Sequence, residues 1–284
     1  MMAGSDDIRL RPRRGGALRP AAGSPQSRRR RRGAADLRAR MQALAIRLAL
    51  PLLLIALWAV AARSPGVAPV LPGPAAVLAT LWQMTISGEL FVHVAASLQR
   101  AFAGFVVAGI IGVAAGLAMS QSRLVNDILA GPVELLRPIS SIAWIPLAIL
   151  WFGIGFNSVV FVIVASCIFI ILLNTLAAAQ NVDRDLVNAA LTLGATPRQI
   201  FTKVTVPSAM PGIMLGLRIA MTGAWGGVLI AEMIATREGL GYMIVRAQAS
   251  YRPDIVIGGM IVIGFVGYAL NWLFLALQRR ITHV

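Results

Sequence analysis

The chain has 284 residues, of which 58% are hydrophobic and 13% charged, with a mean hydropathy of +0.77 and a formal net charge of +15. A soluble domain is about a quarter charged and keeps a polar exterior, so this composition excludes an ordinary water-soluble fold and points to a bilayer. The charge is uneven: segment 1–47 holds 13 of the 26 basic residues and contributes +10, and the other residues contribute +5.

In chain order, residues 1–43 read as a disordered basic tail. They are rich in Arg, Gly, Pro, Ser and Ala and have little to bury. A charge run beside an apolar segment more often sets membrane orientation than binds nucleic acid, so the expected partner of these arginines is anionic lipid. The apolar run Leu44–Ala62 lies too far from the start for a signal peptide of about 15–30 residues and is read as a retained first span. A loop with Pro69, Pro72, Gly73 and Pro74 follows, then a short amphipathic helix over 75–86. At about 20 residues per crossing, five more spans are expected near 100–119, 132–152, 158–178, 211–234 and 255–277. The expected fold is an all-α integral membrane protein, a six-helix bundle with both termini inside. Arg123, Arg184, Arg198, Lys203, Arg279 and Arg280 share one face with the tail, whereas the other face mixes signs.

Between the fourth and fifth spans lies a loop of about residues 180–210. Leu186, Ala189, Ala190 and Leu193 recur at helical spacing, Asp183 and Asp185 suit a helix start, and Gly194 suits its end. Thr196, Pro197 and Gln199 signal a capping box opening a second helix. This short stripe is unstable alone. It packs under the bundle, lies on the lipid surface, or docks to another protein.

This loop resembles that of the binding-protein-dependent ABC permeases, whose pattern is Glu-Ala-Ala, three residues, Gly, nine residues, Ile-x-Leu-Pro. Here stand Asn188-Ala189-Ala190, Gly194 and Val204-Thr205-Val206-Pro207 at the same spacing, with Asn, Val and Val for Glu, Ile and Leu. The stretch Ile142–Gly155, together with Leu71-Pro72-Gly73-Pro74 and Ala231-Glu232-Met233-Ile234, is similar to the sulfonate, nitrate and taurine permease group. The resemblance covers about 45–280. It implies a permease domain over 44–284 that moves a small solute across the inner membrane. Leu186, Asn188, Ala189, Ala190, Leu193, Gly194 and Pro207 would couple it to a separate ABC ATPase, in two copies, which carries the ATP and Mg. Further implied partners are a second permease copy, as a homodimer, and a periplasmic solute-binding protein. The group's solutes are small anions; a thiamine precursor, an aromatic carboxylate or an ATP-independent transporter are the alternatives.

The chain has no G-x-x-x-x-G-K-[ST] phosphate loop, and Lys203 is its only lysine. No catalytic constellation or metal cluster is apparent, with Cys167 alone and His93 and His283 far apart in sequence. Among intramembrane ionisable groups, Glu134 and Arg137 stand three apart and are a candidate ion pair. Arg218 is expected to snorkel to the cytoplasmic interface, and Glu232 to sit cheaply at the outer interface. Ser140, Ser141, Trp144 and Trp225 are the translocation-path candidates, set beside Pro138, Pro146 and a glycine cluster.

Overall fold

A computed structural model describes residues 49–281. The expected tail over 1–43 and the start of the first predicted span lie outside that range. The chain falls into two units, residues 1–57 and 58–284. The described part of the first span is α1 (Ala49–Ala61), a short apolar helix.

After α1 come α2 (Pro74–Ile86), α3 (Glu89–Gln121), α4 (Arg123–Leu136), a 3-10 turn (Ser141–Trp144) and α5 (Ile145–Phe152). Then follow α6 (Phe156–Gln180), α7 (Arg184–Thr192), α8 (Pro197–Ile200), α9 (Val206–Ala235), α10 (Leu240–Ala249) and α11 (Pro253–Ile281). Among the described residues four helical segments are long and apolar enough to cross a membrane: α3, α6, α8 running on into α9, and α11. A fifth crossing results if α4 and the Ser141–Phe152 segment count as one.

That pair corrects the expectation of a continuous third span over 132–152. The two halves meet at 93°. Pro138 has no N–H for the helical ladder; Arg137 before it keeps helical angles, and the chain leaves the helix by Ser140, which is extended with ψ 140°. The second and fifth spans also run longer than expected. The 33 residues of α3 rise roughly 50 Å, well beyond a hydrocarbon core of about 30 Å. A π-helical turn (Phe201–Thr205) joins α8 to α9 immediately before Pro207, which cannot donate back into that turn.

The bundle centres on α6, flanked by α3 and α9. Both contacts are made by small residues, since lipid supplies no hydrophobic drive for helix association and close backbone approach must. Gly104, Gly112 and Gly116 bring α3 against Ile163, Ile171 and Leu172 of α6. Gly212 and Gly216 bring α9 against Ala178 and Asn174 on another side of α6. The buried core between them includes Ala101, Ala108, Ile163, Cys167, Ile171, Ala220 and Ala224.

Candidate coupling segment and polar path

The α6–α9 connection is built from strong local signals. The Asp183 side chain accepts from the Asp185 N–H at 2.9 Å and so caps α7. The helix closes in a Schellman motif: the Gly194 N–H donates to the Leu191 carbonyl at 2.9 Å, and the Ala195 N–H to the Ala190 carbonyl at 3.0 Å. Gly194 has φ +77°, the left-handed region where a side chain would be strained. Thr196 and Gln199 then form the expected capping box: the Thr196 N–H donates to Gln199 Oε1 at 2.8 Å, and the Gln199 N–H to Thr196 Oγ1 at 3.4 Å. One helix thus ends and the next begins with four residues between them.

None of the α7 residues is buried. Leu186 and Leu191 are about half exposed, and Leu193, just past its end, is 87% exposed. Ala189 and Asn188 are exposed as well, and Ala190 is half-buried. A well-capped helix therefore presents uncovered apolar side chains between two membrane-length helices. Pro207 lies outside that face, in the first turn of α9.

The path candidates separate. Ser141 lines a hollow with Arg137, Ser166, Asn174 and Gly223. Trp225 is buried, donates from Nε1 to the Ile263 carbonyl at 3.2 Å, and walls a second hollow beside Arg218, Thr222 and Asn271. Trp144 packs edge-on against Phe161, with centroids 6.0 Å apart. Ser140 is exposed at the bend and lines neither hollow. Glu134 and Arg137 are both exposed, and the structure does not bring them together in a salt bridge. Arg218 does not simply snorkel: its Nε donates to Asn271 Oδ1 at 3.2 Å, tying α9 to α11.

Residues 104–283 match the family described as binding-protein-dependent transport system inner membrane component. The chain belongs to this family. It is 35% identical to the taurine transport system permease protein TauC of Escherichia coli, over 81% of this chain and 86% of that one. It is 34% identical to the nitrate import permease protein NrtB of Leptolyngbya laminosa, over 68% of this chain and 69% of that one. Its fold is similar to that in an inward-facing structure of the MetNI methionine ABC transporter, at a TM-score of 0.62 and 20% identity, covering 70% of this chain and 99% of that one. The protein is thus an inner-membrane permease subunit of an ABC importer and not an enzyme.

The permease carries one polar centre that its sequence does not reveal. Glu232, expected to carry a cheap interfacial charge near the end of its span, stands three residues before the end of α9 but is fully buried inside the protein. Its Oε1 accepts from Arg100 Nη1 at 2.8 Å, and its Oε2 from Ser97 Oγ at 2.7 Å and the Gly241 N–H at 3.1 Å. Arg100 also donates to the Glu238 carboxylate at 2.8 Å and the Glu238 carbonyl at 3.0 Å. The Leu240 N–H donates to Ser97 Oγ at 2.9 Å, and the Gly239 N–H to His93 Nδ1 at 3.1 Å. The loop between α9 and α10 is therefore pinned to α3 by His93, Ser97 and Arg100, which share one helix face. That spacing is the only hint in the sequence; the partners stand more than 130 positions away. Among the described residues no group of three His, Cys, Asp or Glu could hold a metal ion.

Proposed function

We propose that this permease imports a small organic or inorganic oxyanion, with a sulfonate such as taurine or an ion such as nitrate as the class. ATP is hydrolysed by two copies of a separate ATPase. A periplasmic binding protein delivers the solute, and two identical permease copies form the path. The chain crosses the membrane six times, with both termini and α7 in the cytoplasm. The charge pattern supports that orientation: Arg123, Arg184, Arg198, Lys203, Arg279 and Arg280 gather at the α7 end of the bundle's sequence pattern. The names of the similar TauC and NrtB proteins support the solute class.

The observation that carries this reading is the uncovered apolar face of α7 on a segment fixed by caps at both ends. ATPase closure acts on that face and, through Gly194 and the capping box, on the start of α9. Burying one Leu in a partner is worth about 1.5–3 kcal/mol, so Leu186→Asp with Leu193→Asp should lower ATPase retention roughly tenfold or more. Co-purification from detergent, with Ser87→Asp as the control, measures this. Full retention in the double variant would defeat docking through α7.

A further inference from the structure

Two arginines of the bundle have no carboxylate within salt-bridge distance among the described residues. Arg218 stands in the interior of α9, roughly 18 Å along the axis from Val206 and 25 Å from Ala235. Its Nε is engaged by Asn271, and its terminal nitrogens have no protein partner among the described residues. Arg137 stands at the 93° bend, also without a salt-bridge partner among them.

The two occupy neighbouring hollows. Arg137 and Ser141 line one of about 420 Å³, and Arg218, Thr222 and Asn271 line the other, of about 570 Å³, which is separate from the hollow walled by Trp225. The hollows share Ile170 and Gly223 as walls. Neither is lined by Asp or Glu. At roughly 30 Å³ per water, each admits a small anion with part of its hydration shell. A guanidinium without a counter-charge is costly against hydrocarbon, so within a bilayer it faces water, solute or a polar headgroup. A guanidinium also matches the planar, multi-oxygen edge of a sulfonate, carboxylate or nitrate better than any other side chain.

We propose that Arg137 and Arg218 form a two-step cationic relay for an oxyanion in the translocation path, with Ser141 and Thr222 as hydroxyl donors and Asn271 fixing Arg218. The inference rests on the anion reading above and adds selection inside the membrane to selection by the binding protein. Two sites of moderate affinity, rather than one tight site, let the ion enter and leave.

The test uses the whole importer in proteoliposomes, with permease, ATPase and binding protein, and labelled taurine or nitrate as probes. In the Arg137→Gln, Arg218→Gln double variant, uptake per ATP hydrolysed should fall at least tenfold while binding-protein-stimulated hydrolysis stays within about twofold; Arg137→Lys, Arg218→Lys should recover uptake only in part, because it restores the charge without the planar fork. A second measurement does not depend on the Gln variant folding. Thr222→Cys, in a Cys167→Ala background, is treated after assembly with 2-sulfonatoethyl or 2-aminoethyl methanethiosulfonate. Corrected for rates with a free thiol, the sulfonate reagent should react at least tenfold faster. Equal reagent rates, or taurine or nitrate uptake in the Gln variant within twofold of wild type, would overturn the relay and leave the anion reading intact. A wild-type importer that carries a cationic solute and neither anion would overturn both.

Discussion

Replacing Glu232 with alanine should destabilise the permease by about 3–5 kcal/mol, the range for removing one partner of a buried ion pair. Arg100 is almost as buried as Glu232, and its Nε already lacks a hydrogen-bond partner. Without the carboxylate, its guanidinium keeps only the half-exposed Glu238 as counter-charge. Ser97 Oγ and the Gly241 N–H lose their acceptor at the same time. Arg100→Leu should cost a similar amount, because it strands Glu232 instead. The double variant Arg100→Leu, Glu232→Leu should be markedly less damaged than either single change, since two apolar groups leave no buried charge behind. Thermal unfolding of the purified protein in nanodiscs measures all three. Single variants within about 1 kcal/mol of wild type would mean that the pair does not hold the α9–α10 loop.

Gly116→Val should lose roughly 1–3 kcal/mol, the usual cost of overpacking, because the nearest atom it meets is a backbone carbonyl oxygen and the next is a Cβ fixed to its helix. A Cβ at Gly116 would stand 2.7 Å from the Leu172 carbonyl oxygen and 2.8 Å from Thr175 Cβ. A Cβ at Gly104 would stand 2.6 Å from Ile163 Cβ. The two sites lie about 18 Å apart along α3, so their costs should add. Gly264 is the counter-case. It sits inside α11 with nothing within 4 Å of a built Cβ and no proline beside it, so Gly264→Ala should gain about 0.5–1 kcal/mol of helix stability. Folded yield and melting temperature read both. A tolerated Gly116→Val would mean that α3 and α6 are not held at backbone contact.

Much of this structure is legible locally. The expected span at 158–178 is α6 trimmed by two residues at each end. The α7 stop at Gly194 and the Thr196–Gln199 box stand where their residue types place them, because caps are set within a few positions. What failed was what depends on distance or on averaging. The stretch 132–152 reads as one span because hydropathy sums over Pro138 and does not register a turn. The six-span count rests partly on that stretch and partly on residues before 49; among the described residues four crossings stand, or five with the bent pair. The amphipathic first turns of α3, from Glu89 to Gln99, fall below a span-like hydropathy and yet carry His93 and Ser97. The partners of Glu232 and Arg218 come from other helices, and no pattern in one sequence joins residues that tertiary packing alone brings together. Of the four path candidates, Ser141 lines the hollow that holds Arg137, and Trp225 walls a separate one beside Arg218.

Coupling through α7 is tested most directly by a cross-link from that segment. Cys167 is the only cysteine and is buried, so Cys167→Ala gives a clean background for Leu193→Cys at the exposed end of α7. With the ATPase present in membranes, a short bifunctional thiol reagent should join position 193 to an ATPase cysteine. The yield should change when ATP is added, and Ser87→Cys at the α2–α3 turn should give no such product. No cross-link from position 193, or an equal one from position 87, would contradict coupling through α7.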